Sequence, residues 1–311
     1  MELRAIWRGA VSGAFAGLLA WVFAYIFAEP LVDKAIDYEE GRGSILDALN
    51  QAAGRPTSAE GPEIFSRSIQ STIGIATGII GFAAAMGALV AVAYVVLHGR
   101  FGVRPRNLIW GIAAFGFAGV YLLPFVRYPA NPPAIGHDFT IVQRGRLYLA
   151  TVLVSLVLLG LAIVLARRLA PRFGWVTAIV GSAVAFLVVY GVYIGLLPSL
   201  GNLHANVDAT SQFGYVRAAT ETPQPIVNIL DTPLTVDGKT FAPGQIVYPG
   251  FDADLLWKFR WYSLINQAII WTVLALTFGA LVDRMLGVTR RRPTTTSAPE
   301  PDSAPERLTV A

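Results

Sequence analysis

The stretch that decides the fold is GAVSGAFAGLLAWVFAYIFA (Gly9–Ala28), which is followed at once by EPLVDKAIDYEE (Glu29–Glu40). The first part carries no charge and has the ~20 residues that a helix needs to cross the ~30 Å hydrocarbon core of a bilayer. It is longer than the apolar core of a signal peptide, and no A-x-A cleavage pattern precedes Glu29. The sequence therefore predicts a retained membrane helix that ends in a cluster of carboxylates.

Composition supports a membrane protein over its whole length. Hydrophobic residues make up 54% of the chain and charged residues 14%, and the mean hydropathy is +0.55. These values exclude a soluble domain and predict an all-α, polytopic bundle of membrane helices. There is no cysteine, so neither disulfides nor thiolate metal ligands are available.

Six apolar segments are long enough to span the bilayer, and none has a charged residue in its interior. They are residues 9–28, 69–97, 107–126, 147–166, 173–197 and 261–282. Together they define a membrane domain over residues 1–290. An extracytoplasmic insert is predicted at 198–257, where LTVDGKTF (234–241) has the Asp-Gly turn of a β-hairpin. The Thr-, Ser- and Pro-rich residues 291–311 predict a disordered cytoplasmic tail.

Charge sets the orientation. If both termini are cytoplasmic, the cytoplasmic segments hold 13 Lys and Arg against 5 Asp and Glu. The three opposite loops then hold 11 Lys and Arg against 15 Asp and Glu. Cytoplasmic loops of membrane proteins carry the excess of basic residues, so this orientation is favoured, and it gives the bundle an acidic outer face.

Small residues predict where helices approach closely. Gly9, Gly13 and Gly17 are spaced four apart, and the same spacing relates Gly74 to Gly78 and Gly191 to Gly195. Glycine at this spacing lets helix backbones meet inside a membrane. A run of three favours a position for the first helix inside the bundle, although glycine is also common in membrane helices generally.

The carboxylates after the first span suggest a cation site. If Pro30 begins a helical stretch, Glu29, Asp33, Asp37 and Glu40 share one face, where they repel one another unless a cation lies among them. Divalent ions accept carboxylate oxygen, often with imidazole. The alternative is a solvated surface relieved by nearby basic residues. The candidate metal ligands are Glu29, Asp33, Asp37, His137 and Asp138.

Neutral polar residues offer a path through the membrane. Side-chain amides and hydroxyls are costly in lipid, so they should face other helices or a pore. The candidate lining residues are Gln70, Thr72, Asn131, Asn266 and Gln267. Hydrogen bonding between helices explains them equally well. Arg260 is predicted to form a gating ion pair with Glu29 or Asp33 across the outer rim.

Other classes of function find no support in the sequence. No Ser/His/Asp, Cys/His or H-E-x-x-H arrangement suggests an enzyme, and nothing requires a resident cofactor. Arg290–Arg292 is typical of a juxtamembrane segment that touches anionic lipid rather than of a nucleic-acid-binding surface.

Several blocks of sequence resemble one family. They are EPxxDxA at 29–35, SRxxQSTxG at 66–74, YPANPPAxG at 128–136, and ADxLWxFR at 253–260 with GAL at 279–281. The chain resembles the CbtA family of bacterial cobalt transporter subunits over most of its length.

The resemblance implies an integral membrane component for cobalt uptake, linked to cobalamin synthesis, with Co²⁺ as cargo. It also implies a small single-span partner that bears histidine. We expect the acidic outer face to admit the ion, with Glu29 and Asp33 as the access site. The alternatives are a structural or assembly subunit of a larger membrane complex and, with less support, a membrane enzyme acting on a lipid-linked substrate.

Overall fold

The computed structural model describes residues 2–57, 66–133, 135–209 and 218–287. Within these ranges six helices are long and apolar enough to cross a membrane, which confirms the predicted all-α membrane bundle. The long helices are α1 (Glu2–Ala52), α2 (Arg67–Leu97), α3 (Pro105–Arg127), α4 (Ile141–Phe173), α5 (Trp175–Leu196) and, after a short α6 (His204–Ala209), α7 (Ala253–Met285). The tail predicted to be disordered, residues 291–311, lies outside the described residues.

Helix α1 continues far beyond its membrane span. It has 51 residues, so at 1.5 Å per residue it is about 75 Å long, more than twice the hydrocarbon thickness. Pro30 lacks an N–H and its ring crowds the preceding turn. The helix accommodates Pro30 with a π-helical turn at Ala24–Ala28, after which Glu29–Ala52 continues as α-helix. The carboxylates therefore lie on a rigid extension of the span, as the prediction for Pro30 required.

Two other helices contain π-helical turns. In α3 the turn covers Phe117–Leu122 and is followed by Pro124, which repeats the arrangement in α1. In α2 it covers Gln70–Gly74, close to the start of the helix. Such turns mark places where the regular hydrogen-bond ladder is interrupted, and they occur often at functional sites.

The glycines of α1 make the closest helix contact. A Cβ atom added to Gly9 would collide with the backbone of Gly87, and one added to Gly13 would collide with the backbone of Ala83. Gly17 lies against the backbone of Ile80 in the same way. The prediction that α1 lies inside the bundle is thus supported. The two shorter predicted patterns behave differently, since a Cβ at Gly78, Gly191 or Gly195 would meet open space.

The apolar core is shared by four helices, α1, α2, α3 and α7. Its buried side chains include Ile109 of α3 with Leu274 and Phe278 of α7, all with 0% exposure. Helices α4 and α5 pack on each other, and α4 also contacts the π-helical turn of α3. The bundle is therefore a four-helix core with an α4–α5 pair attached at the side.

The insert between α5 and α7 carries four short strands on the C-terminal half of α1. Strands β1 (Ile226–Val227) and β4 (Ile246–Tyr248) are antiparallel, as are β2 (Leu234–Val236) and β3 (Lys239–Phe241). The β2–β3 pair is the predicted hairpin, and Asp237 and Gly238 at its turn both have positive φ, as a two-residue hairpin turn needs. Ile226, Leu234 and Val247 pack with Ile45 and Leu49 of α1.

We predict that Gly13→Leu disrupts the bundle. The new side chain would meet the Ala83 carbonyl and the Ala84 backbone, so α1 and α2 would have to separate, at a cost of about 3 kcal/mol or more. The measurement is the yield of monodisperse protein and its thermal unfolding midpoint in detergent. Gly78→Leu is the control, because that position is open. Equal behaviour of the two variants would contradict the packing described for α1.

Candidate functional site

The cation that pairs with the carboxylates of Glu29 and Asp33 is Arg67. Its Nη2 donates to Asp33 Oδ1 at 2.7 Å and also contacts Glu29 Oε1, while its Nε donates to Asp33 Oδ1 at 3.1 Å. The ion pair predicted for Arg260 with Glu29 or Asp33 is therefore wrong. The cation comes from the start of α2 rather than from α7.

The register of α1 against α2 explains this pairing. Gly17 lies opposite Ile79 and Ile80, and the two helices run in opposite directions. Glu29 is twelve residues beyond Gly17 on α1, and Arg67 is twelve residues before Ile79 on α2. The close glycine contact between the two membrane-spanning helices thus brings Glu29 and Arg67 together at the end of the bundle that carries the insert.

Glu29 is the most constrained member of this group, which we call the Arg67 triad (Glu29, Asp33 and Arg67). Its residue exposure is 5%, and its Oε2 accepts no hydrogen bond from the described residues. Asp33 is more than half exposed and Arg67 one third exposed. Burial raises the pKa of Glu29, and the Arg67 guanidinium opposes that rise by favouring the ionised form. Asp37 lies further along α1 on the exposed side.

Arg260 makes a different contact. Its Nη2 donates to Asn131 Oδ1 at 2.9 Å, and its Nε donates to the Ala130 carbonyl at 3.4 Å. Asn131 Nδ2 in turn donates to the Thr220 carbonyl at 3.2 Å. Both ends of the Asn131 amide are therefore used: they connect the proline-rich segment, residues 128–133, to α7 and to the insert.

A cleft of about 730 Å³ opens beside this segment. Its wall includes the non-helical residues 129–133, the rings of Tyr121, Phe125 and Tyr148, and two carboxylates, Glu39 of α1 and Asp138 at the start of α4. Both carboxylates are exposed, lie close enough to repel each other, and form no ion pair with the described residues. The cleft is thus a recess with these two carboxylates and a wall of aromatic, proline and aliphatic side chains at the acidic end of the bundle.

Sequence reasoning missed Glu39. The spacing of four that joins Glu29, Asp33 and Asp37 selects one face of α1, and Glu39 lies on another. A signal was present, since Val32, Ala35, Ile45 and Leu49 mark the buried stripe of the extension. Glu39 lies one turn beyond Ala35 along that stripe, where α1 faces the rest of the outer structure.

His137 is held by a buried cluster. Its Nδ1 is 2.6 Å from Asn206 Oδ1, and its backbone N–H donates to Glu221 Oε2 at 3.2 Å. Glu221 also accepts from the Thr140 hydroxyl at 2.9 Å and from Asn206, and lies 3.4 Å from Arg144 Nε. His137 thus connects the residues that follow the proline-rich segment to the insert. Its Nδ1 is already used in the contact with Asn206.

Glu221 adopts a backbone conformation that is rare for its residue type. Its φ is 56° although it is not glycine, and its side chain is 1% exposed. Such strain persists only where the surroundings hold it in place, and it is concentrated at functional regions. Glu221 therefore connects the insert to the wall of the cleft at a conformational cost.

Tyr128 is the first residue of the proline-rich segment and holds that end of it in place. Its ring is buried, and burial raises the pKa of the phenol against the opposing effect of Arg127. The hydroxyl therefore stays protonated at neutral pH and donates to the Pro198 carbonyl at 3.1 Å. This bond joins α3 to the start of the insert.

The predicted lining residues do not form one continuous path. Thr72 donates to the Ser68 carbonyl of its own helix at 2.6 Å, and Gln70 is exposed. Asn266 Oδ1 and Gln267 Oε1 are buried in α7 and accept no hydrogen bond from the described residues. Two acceptors without donors inside a bundle are costly, so Asn266 and Gln267 belong to the incompletely satisfied polar groups of the described membrane core.

No preformed metal centre is present in the part of the chain that the structure describes. There, no three His, Cys, Asp or Glu residues come together in a group that could hold a metal ion. The Arg67 triad supplies two carboxylates and the cleft supplies two others. The candidate ligands Glu29, Asp33, Asp37, His137 and Asp138 are thus distributed over both places and over the surface.

Comparison with known families identifies the family of this chain. The model of a family described as "Probable cobalt transporter subunit (CbtA)" matches residues 2–283. The chain belongs to the CbtA family. The match covers all six long helices except the last residues of α7, so the family description applies to the whole bundle. No curated protein and no solved structure matches the chain.

Membership gives the coarse function. This CbtA protein is a multi-pass membrane protein of the class of cobalt transporter subunits, and its family is one of transport components rather than of enzymes. A subunit implies further components of the same transport system.

We predict that the Arg67 triad behaves as a coupled unit. Arg67→Gln removes the cation beside the buried Glu29, and we expect it to lower the free energy of unfolding by about 1–3 kcal/mol. Glu29→Gln combined with Arg67→Gln should restore part of that loss, because no charge is then left buried. The measurement is a double-mutant cycle from unfolding midpoints in detergent. Additive effects would show that the two side chains do not interact.

Proposed function

We propose that the protein is the membrane-embedded subunit of a divalent-metal uptake system whose cargo is Co²⁺. The ion arrives at the acidic end of the bundle, which faces outward. The observation that carries this proposal is the cleft, where Glu39 and Asp138 present two carboxylates without an ionic partner among the described residues. Negative walls around a recess concentrate cations and raise their rate of arrival.

The Arg67 triad is proposed as the gate below the cleft. Glu29 and Asp33 are both held by one guanidinium, Glu29 directly follows the π-helical turn of α1, and Arg67 lies three residues before that of α2. A divalent ion competes with Arg67 for the same carboxylate oxygens. Its arrival releases Arg67 and opens the contact between the two helices, after which Asn266 and Gln267 offer carbonyl oxygens on the way inward.

Partners complete the system. The chain brings few nitrogen ligands of its own, and we propose that a small single-span subunit with histidine supplies imidazole. The protein holds no resident cofactor in this scheme. Energy comes from the membrane potential, the ion gradient or such a partner. The proposed location is a bacterial inner membrane with both termini in the cytoplasm.

A second candidate is an assembly subunit without flux of its own. It is favoured by the α4–α5 pair, whose apolar outer faces pack on little else in the chain; examples are Leu153, Leu187 and Val192, each more than half exposed. A partner helix in the membrane could cover such faces as well as lipid does.

We predict that Glu39→Gln with Asp138→Asn lowers cobalt uptake about tenfold at low external Co²⁺, because the electrostatic attraction into the cleft is lost. The measurement is initial uptake of radioactive Co²⁺ by cells that express the full system. Glu40→Gln is the matched control for Glu39→Gln alone, since it removes the same single charge from the adjacent position outside the cleft wall. Uptake that is unchanged in the double variant would contradict this role for the cleft. A system that forms stably but shows no flux in any variant would favour the assembly subunit.

We predict that the acidic end is reached from outside the cell. The chain has no cysteine, so a single introduced thiol reports its own location. Ser44→Cys, exposed on the extension of α1, should react with a membrane-impermeant maleimide in intact cells, whereas the equally exposed Arg100→Cys at the opposite end should react only after lysis. The reverse pattern would invert the proposed topology.

A further inference from the structure

We infer that the cleft receives cobalt as a cationic complex with a small organic chelator rather than as the hydrated ion. The inference rests on the proposed function and adds the chemical form of the cargo. It stands on the size of the cleft, on the shortage of metal ligands around it, and on the aromatic character and charge of its wall.

Size is the first observation. A divalent ion with six waters occupies roughly 180 Å³, taking about 30 Å³ for each water. The cleft has about 730 Å³. This volume falls within the range of roughly 300–1,000 Å³ that is typical of sites for small organic molecules. A hydrated ion would leave most of the space filled by bulk water and would gain little from the shaped wall.

The second observation is what the wall does not supply. Glu39 and Asp138 are its carboxylates, and no third Asp, Glu or His of the described chain joins them in a metal-binding group. The Asn131 amide is committed at its oxygen to Arg260 and at its nitrogen to Thr220. Two carboxylates fill only part of the coordination shell of a cobalt ion, so the remaining ligands arrive with the metal, either as water or as the donor atoms of a chelator.

The third observation is the character of the wall. Tyr121, Phe125 and Tyr148 present aromatic surface beside the proline-rich segment. Arg144 also lines the cleft, but its guanidinium lies 3.4 Å from the buried Glu221 carboxylate and is balanced by it. The wall therefore carries the two negative charges of Glu39 and Asp138 next to apolar rings. This combination favours a positively charged complex with a flat organic part, and it disfavours an anionic lipid headgroup.

Helix α4 offers a way to fill the cleft without disturbing the fold. Gly145 lies on the wall, and a Cβ atom added there would meet nothing within 4 Å. Gly145→Phe therefore projects a ring into the cleft. It leaves in place the three charged side chains of the wall, Glu39, Asp138 and Arg144, and the Glu221 carboxylate that pairs with Arg144. Gly160 lies in the same helix, is equally open and is not part of the cleft wall, so Gly160→Phe is the matched control.

The test is equilibrium dialysis of the purified full-length protein, which measures binding independently of transport. Three probes are compared: radioactive Co²⁺ alone, radioactive Co²⁺ with one equivalent of histidine at the same free Co²⁺ concentration, and labelled histidine alone. The equimolar histidine complex is cationic and carries an imidazole ring. We expect the complex to bind about tenfold more tightly than Co²⁺, and histidine alone not to bind.

Gly145→Phe should weaken binding of the complex by about tenfold or more, with Gly160→Phe unchanged. Equal affinity for the complex and for Co²⁺, or an unaffected Gly145→Phe variant, would overturn the inference. So would added phospholipid that competes with the complex, since lipid would then be the occupant. The proposed function is judged separately by cellular uptake of Co²⁺, which survives a negative result here.

Discussion

The contact on which the rest of the structure depends is the close approach of α1 and α2 along Gly9, Gly13 and Gly17. In lipid there is no hydrophobic effect to hold helices together, so tight packing of small residues does this work. The backbones of Gly87, Ala83 and Ile80 lie where side chains would otherwise be. This contact sets the register of the two helices and, through it, the pairing of Glu29 with Arg67 at the outer end.

The extension of α1 transmits that arrangement to the outer structure. Because Pro30 is accommodated by a π-helical turn, the helix continues to Ala52 and presents Glu39 to the cleft. The strands of the insert pack on its far end at Ile45 and Leu49. Glu221 then fastens the insert to His137, Thr140 and Asn206. The wall of the cleft is thus held from both sides by parts of the chain that are distant in sequence.

Charge is divided into two layers with different roles. In the deeper layer Glu29 is buried and neutralised by Arg67, so the resting bundle carries no uncompensated carboxylate there. In the outer layer Glu39 and Asp138 are exposed and free to attract a cation. A buried charge without a partner is costly and an exposed one is not, and the proposed function uses this difference: an ion would first meet the exposed carboxylates and then compete with Arg67 for the buried one.

The sequence by itself determined the six membrane helices, the β2–β3 hairpin and the family, because hydropathy, turn chemistry and rare sequence blocks are local signals. The tertiary structure decided which charges meet. Arg67 rather than Arg260 reached Glu29, Asn131 became a brace between α7 and the insert, and Glu39 rather than Asp37 faced the cleft. Those outcomes depend on helix register and on the direction of each helix face, and a spacing within one segment does not specify its partner in another.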